Sequence, residues 1–219
     1  MNTDAILSRA EERVRKLLAC PAIPIEASGR HVHLSYGAAE ALFGRDSRLT
    51  FVSELSQPGQ FVCRERVRAV GPKGEFSSIV VLGPERGETQ LEVSRTDAVT
   101  LGIHAPVRPS GKIAGSPGIR LVGPAGEVEL DCGVIVAERH IHMTPHDANR
   151  WGFTDGQAVS VRVFGERPVT FNGVILRVSP DFRTYMHIDY DEANACGFYK
   201  GMTGIIVQDE TIEVSGLGY

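Results

Sequence analysis

Apolar residues at helical spacing open the chain. Ile6, Leu7, Ala10, Val14, Leu17 and Leu18 recur three and four apart, and Arg9, Glu11, Glu12, Arg13, Arg15 and Lys16 lie mostly off that stripe. The period predicts an amphipathic helix over 3–19, with Thr3 able to cap its first turn. Pro21 and Pro24 then stop the helix and make a stiff connector. Such a stripe fits a helix docked on the body of the protein, and it equally fits a detachable helix that binds a partner. A membrane surface fits less well, because the polar face mixes signs rather than being basic. Beyond the connector the pattern changes to short β-rich runs at 61–70, 77–82, 134–137, 158–164 and 169–178, punctuated by GP, GPKG, GPAG, FNG and SP turns.

Between these strands a second pattern repeats. Ser94-Asp97-Ala98-Gly102, Thr144-Asp147-Ala148-Gly152 and Asp189-Glu192-Ala193-Gly197 share a polar cap, an acid three residues on, an Ala, and a Gly five residues after the acid. Ser35, Glu40 and Gly44 make a looser fourth copy. A cap followed by an acid at the third position resembles a capping box, and the Gly is a C-terminal stop. Four short helices of about two turns each are predicted.

The body also reads as an internal duplication. GRHVHLS at 29–35 recurs as ERHIHMT at 138–144, 109 residues on, and VRAVGPKGEF at 67–76 echoes IRLVGPAGEV at 119–128. A joint is expected in GKIAGSPG, 111–118. The expected architecture is therefore mainly β with short α-helices (α+β): two pseudo-symmetric β-barrels or sandwiches, each capped by short helices, with the active site between them. The expected division is 1–22 for the N-terminal helix and connector, 23–115 for the first barrel half, and 116–219 for the second half and tail.

Composition narrows the function. The net charge of −4 over 219 residues gives no basic field for nucleic acid. No apolar run reaches the roughly 18 residues of a membrane span. The first 20 residues carry seven charges, which is unlike a secretory signal. Cys20, Cys63, Cys132 and Cys196 are widely spaced with no CxxC pair, as expected of reduced thiols in a cytosolic protein, with Cys20 a candidate for exposure.

The duplicated motif carries the chemistry. Residues i and i+2 of a strand face one side, so His31 with His33, and His140 with His142, can each grip one ion. His33 stands two residues before the cap Ser35, His142 two before Thr144, His187 two before Asp189 and Glu92 two before Ser94. If the repeats are related by pseudo-symmetry, His31, His33 and Glu92 form one ligand set and His140, His142 and His187 another. Three ligands per ion is the count of a catalytic zinc site with an open position, and imidazole-rich sets also accept cobalt, nickel or iron. His104 and His146 lack the spacing. Arg30 and Arg139 precede the His pairs and point the other way on a strand, as salt bridges behind the site would. Arg86 and Arg95 are better placed to reach an anion, and Ser110 lies in a PSG turn near the joint.

The chain has no GxGxxG, Walker, GxSxG or HExxH motif and no zinc-deaminase pattern. Two open metals near arginines fit acyl transfer between a thiol and phosphate. They equally fit a dimetal thioesterase or hydrolase, and a non-catalytic metal-stabilised binding module is the reading from a third class.

RHVHLS, LEVSRTDAVTLGI, RPSGKIAGSPGIRL, GVIVAERHIHMTPHDA and MHIDYDEANACG together resemble the phosphate propanoyltransferases of the propanediol-utilisation type, a phosphotransacylase family. The resemblance runs from about Ile23 to about Gly204. It implies interconversion of acyl-CoA (propanoyl-CoA favoured) plus phosphate with acyl phosphate plus CoA, in two β-barrels with two zinc ions between them. It implies zinc ligands His31, His33 and Glu92 for one metal and His140, His142 and His187 for the other, the second facing the CoA sulfur. It further implies Arg86 as the catalytic, phosphate-binding arginine and Ser110 as a further phosphate contact. Members that work inside bacterial microcompartments carry an amphipathic N-terminal helix recruited to the shell. Residues 3–19 look like that element, which implies shell or lumen partners, a cytoplasmic location in the compartment lumen, and a homo-oligomer.

Overall fold

The structure, a computed structural model, describes residues 22–207 and, upstream of them, Leu7. The amphipathic stretch 3–19 and Cys20 therefore lie outside the described residues, apart from Leu7, which is helical and exposed.

Two β lobes make up the body. One is a closed barrel of six strands: β1 (Ala22–Ser28), β14 (Tyr185–Asp189), β11 (His140–Met143), β13 (Val169–Val178), β12 (Ala158–Val163) and β15 (Thr203–Val207), in that order. The other is a curled open sheet in the order β7 (Val107–Arg108), β10 (Val134–Ala137), β6 (Gln90–Glu92), β2 (His31–Ser35), β5 (Glu75–Arg86), β4 (Phe61–Val70), β8 (Ile119–Val122) and β9 (Glu127–Leu130), with β3 (Phe51–Glu54) on β4. Mainly β with short helices, in two barrel-like lobes, is the architecture expected from the repeat.

The sheets divide the chain differently from the 23–115 and 116–219 halves. β1, from the first half, belongs to the closed barrel, and β8 to β10, from the second, belong to the open sheet. The exchange is reciprocal. β1 runs parallel to β14 with Glu26 beside His187, and β10 runs parallel to β6 with Ile135 beside Glu92. Sequence similarity marks where a repeat begins, whereas hydrogen bonding decides which lobe a strand joins. The connector assigned to Pro21 and Pro24 is corrected in the same way, because Pro24 lies inside β1. Ala22 to Pro24 pair with β15 and Ile25 to Ser28 with β14, so the proline sits where the strand changes neighbours and a missing N–H is tolerated.

Each lobe has its own core. Val32, Leu34, Ile79, Val81, Leu91 and Leu121 fill the open sheet, and Ile141, Met143, Val161, Leu176 and Met186 fill the barrel. Alternation therefore drives Val32 and Leu34, or Ile141 and Met143, inward and leaves the intervening histidines on the opposite face.

The four predicted helices are present: α1 (Tyr36–Phe43), α2 (Arg95–Leu101), α3 (Pro145–Trp151) and α4 (Tyr190–Cys196). Ser35, Ser94, Thr144 and Asp189 each cap their helix by accepting the N–H three residues on. The reciprocal box forms at Ser94–Asp97 and Asp189–Glu192. At α3 the Asp147 carboxylate instead accepts the Thr184 hydroxyl at 2.5 Å. Gly102, Gly152 and Gly197 end their helices in the left-handed conformation that glycine adopts at no steric cost.

Side chains stitch the lobes together. The Asp191 carboxylate of α4 accepts the Ser94 hydroxyl at 3.2 Å and the Thr96 N–H at 2.8 Å, at the start of α2. The buried Gln57 amide donates to the Arg183 carbonyl at 3.1 Å and accepts the Arg183 N–H at 3.2 Å. Among the described residues no helix is long and apolar enough to cross a membrane.

Candidate metal centre

Strand register assembles the donors. β2 pairs antiparallel with β6 so that His31 faces Glu92, and β11 pairs antiparallel with β14 so that His140 faces His187. Each His-x-His strand thus gains a third donor from its antiparallel neighbour. His31, His33 and Glu92 form one cluster, and His140, His142 and His187 another; within each, one potential ligand atom per residue lies within 4.8 Å of the others. Both clusters open on a single cleft of about 1110 Å³ between the lobes, which Arg86, Ser110 and Arg177 also line.

The hydrogen bonds prepare these rings as ligands. His31 Nδ1 donates to the Gly29 carbonyl at 2.8 Å and His140 Nδ1 donates to the Glu138 carbonyl at 2.7 Å. A carbonyl only accepts, so each bond fixes the proton on Nδ1 and leaves Nε2 with its lone pair. The two bonds occupy equivalent positions of the repeat. His33 and His142 each keep a buried Nδ1 with no hydrogen-bond partner. Buried polar atoms are rarely left so, and a cation would satisfy this donor set. Three imidazoles at one cluster, and two with a carboxylate at the other, fit a zinc-like divalent ion.

Electrostatics point the same way. Burial pushes His33 down to about 3, helped by the neighbouring His31. Burial also pushes His142 down to about 2, with His140 and His187 adding to the shift, and His187 down to about 3. His140 is lowered as well, chiefly by burial. These rings are neutral at physiological pH, as metal ligands must be. His31 differs. Burial works against its charged form, but the Glu92 carboxylate, 3.4 Å from Nε2, outweighs it and raises the pKa. For Glu92 burial favours the neutral acid, yet the His31 charge and hydrogen bond hold it well below the usual carboxylate range.

Glu92 is anchored by Gln90 Nε2 at 2.6 Å and by the Ser110 hydroxyl at 2.8 Å, both donating to Oε1. Gln90 also donates to Ser110 Oγ at 2.9 Å and accepts the Gly111 N–H at 2.7 Å. Ser110 in turn accepts Arg86 Nη1 at 3.4 Å. Ser110 therefore links the Glu92 cluster to the arginine that faces the cleft.

The remaining candidates sort cleanly. Arg30 pairs with Asp97 at 2.7 Å and Arg139 with Glu192 at 2.6 Å, the salt bridges expected of residues that precede the His pairs. Arg95 is a correction: it turns toward the Ala105 carbonyl at 3.5 Å and does not line the cleft. As the first residue of α2, past the Ser94 cap, it leaves the strand that carries Glu92. His104 and His146 are exposed, away from both clusters.

Several residues of the site escape a reading of spacing. Gln90 was accessible through the i, i+2 rule, since it shares a strand face with Glu92. Gln57, with Nε2 3.5 Å from His187 Nε2, arrives from a distant loop. Phe182 packs its ring 4.2 Å from His142, centroid to centroid, and Arg177 stands beside His142 in the β11–β13 register. Pairings between strands this far apart in sequence leave no local signal.

Comparison with known proteins places the chain in a family. The family model described as phosphate propanoyltransferase matches residues 24–199. A protein named phosphate propanoyltransferase from Listeria monocytogenes is 53% identical over 208 residues, 95% of this chain and 98% of that protein. Proteins of the same name from Enterococcus faecalis and Thermotoga maritima are 58% and 47% identical, covering 84% and 95% of this chain and 87% and 100% of their own.

Proposed function

The chain belongs to the phosphate propanoyltransferase family, and from that premise we propose that it is an acyltransferase moving an acyl group between coenzyme A and inorganic phosphate, at two metal ions held by His31, His33 and Glu92 and by His140, His142 and His187. The observation that carries the reading is the opening of two three-donor clusters and Arg86 onto one cleft. A divalent ion at each cluster, zinc by the donor chemistry, supplies a position that stabilises a thiolate and orients an anion.

The chain's own residues supply the rest. The Arg86 guanidinium binds phosphate oxygens, and its planar fork suits that geometry. Ser110 bridges Arg86 and Glu92 on the open-sheet side of the cleft, and adds a hydroxyl for the phosphate. A phosphate oxygen then attacks the thioester carbonyl. The new carbon–oxygen bond gives acyl phosphate; the carbon–sulfur bond breaks with its electron pair on sulfur, releasing CoA. Holding both reactants in one cleft converts a bimolecular encounter into an oriented one. Propanoyl is the favoured acyl group, although one methylene changes binding by only about 1–3 kcal/mol.

The test is CoA release from propanoyl-CoA by metal-loaded protein, with and without phosphate. The reading expects release that requires phosphate and yields acyl phosphate; release indifferent to phosphate means hydrolysis and overturns it. Residues 3–19 extend the proposal. Their apolar stripe suits docking on microcompartment shell or lumen proteins, in a propanediol-degrading compartment of the cytoplasm, by a homo-oligomeric enzyme. Deleting residues 1–20 should then leave turnover intact and abolish shell association.

A further inference from the structure

Arg177 follows from no feature of the repeat. It lies on β13, in register with His142, at the position where the other lobe has Leu82 in register with His33. The six donors obey the pseudo-symmetry and this arginine breaks it. Parallel register puts Arg177 on the face of the barrel that carries His140 and His142, so it lines the cleft.

Its surroundings are unusual for an arginine. The other cleft arginines are engaged: Arg30 with Asp97, Arg86 with Ser110, and Arg66 with the carbonyls of Cys63, Arg64 and Glu65. Arg177 has no ion pair and no hydrogen bond among the described residues, and its one ring contact is Phe182, 5.8 Å from its Cζ. Its charge nevertheless reaches Arg86 in the opposite lobe, whose charged form burial disfavours most, Glu92 favours and Arg177 disfavours. Arg86 and Arg177 thus line one cleft from separate lobes, and among the described residues neither has a carboxylate ion pair, so an anion between them can be gripped by both.

We propose that Arg177 is a second phosphate-binding residue, which grips the phosphoryl group from the barrel side while Arg86 grips it from the open sheet. The proposal rests on the acyl-transfer reading and names how that site holds its inorganic substrate. The reacting carbonyl and sulfur must lie at the metal clusters, and Arg177 adjoins His142. The anion within its reach is therefore at the reacting centre, whereas the phosphates of CoA lie at the far end of the pantetheine arm. In the forward direction Arg177 fixes a phosphate oxygen while another attacks the thioester carbon. In reverse it fixes the phosphoryl leaving group of acyl phosphate as the C–O bond breaks and the electron pair passes to that oxygen.

The experiment is calorimetric titration of the metal-loaded protein with inorganic phosphate and, separately, with CoA, for wild type, Arg177→Gln and Arg177→Lys, alongside metal content and melting temperature. A charge-assisted hydrogen bond is worth enough that Arg177→Gln should weaken phosphate binding about 10- to 100-fold. CoA binding should stay within about threefold of wild type and both metals should be retained. Arg177→Lys, which keeps the charge and loses the fork, should recover part of the phosphate affinity. Unchanged phosphate binding in both variants overturns the proposal. So does equal loss of phosphate and CoA binding, or loss of metal, either of which assigns Arg177 a structural role. If the wild type binds no phosphate and releases CoA without it, the functional reading itself fails, which is a separate result.

Discussion

Acid should dismantle the metal-free protein at a pH where most enzymes are still folded. Chelation leaves three imidazoles, the buried His33 and His142 and the half-buried His187, with pKa values pushed down to about 3, 2 and 3. Unfolding returns each to about 6.5. Below that value the unfolded chain binds protons that the folded chain refuses. The stability these groups provide is thus complete above pH 6.5 and drains away as pH falls toward their folded values. Each contributes about 1.36 kcal/mol per pH unit, or about 2 kcal/mol between pH 6.5 and 5. Three together approach 6 kcal/mol, comparable with the whole stability of a typical domain, about 5–15 kcal/mol. His140, also lowered, adds in the same direction. His31, raised by Glu92, works the other way between pH 7 and about 6.5, where the folded form holds its proton more fully than the unfolded chain, and adds little slope below. Urea unfolding of the chelated protein at pH 7, 6, 5.5 and 5, followed by the fluorescence of the single Trp151, measures the effect. His142→Gln should remove about a third of the slope. A stability constant within about 1 kcal/mol across that range would refute the picture of neutral, buried, metal-ready rings.

Three further outcomes follow from contacts already described. On the proposed two-metal reading, Glu92→Gln removes the one anionic donor of its cluster, so metal analysis of zinc-loaded protein should fall from two ions per chain toward one, with the all-imidazole cluster still filled. Asp191→Ala severs the bonds to Ser94 and Thr96 that join the lobes and should lower stability by about 1–2 kcal/mol, read by urea melts at neutral pH. Gly118→Ala places a Cβ 1.7 Å from the Leu130 carbonyl oxygen, so the β8–β9 end of the open sheet must shift; a cost of about 1–3 kcal/mol is expected in the same melts, and a neutral result would contradict the close approach.

What could be read before folding was whatever local rules write into consecutive residues. The four helices could be placed because each carries its own cap and stop, and the strands at 61–70, 134–137 and 169–178 because turn residues bracket them. The six donors could be grouped because a strand's period of two and a repeat of fixed offset are both local patterns. Arg177, Gln57 and Phe182 could not, since their place depends on which strand lies beside which. Arg95 shows the converse failure: adjacency to Glu92 in sequence placed it in the site, but the chain turns into a helix between them and carries it away.

The strand exchange explains why duplication yields one cleft rather than two independent sites. The third donor of each cluster rides a strand flanked on one side by its own His-x-His strand and on the other by a strand from the opposite half of the sequence: β14 between β11 and β1, β6 between β2 and β10. His187 is therefore held in register by Glu26 of the first half, and Glu92 by Ile135 of the second. Neither half of the sequence contains all the strands that fix its own donors. Two simply tandem barrels could drift apart through a flexible joint, and the distance between their sites would then be set by a linker. Here the exchanged strands make the chain cross between the lobes twice through two residues, at Gly29–Arg30 and at Glu138–Arg139, and the Asp191 and Gln57 contacts hold the lobes together. A reaction that must hold a thioester and an anion within bonding distance depends on that spacing, since a displacement of about 1 Å is enough to cost orders of magnitude in rate.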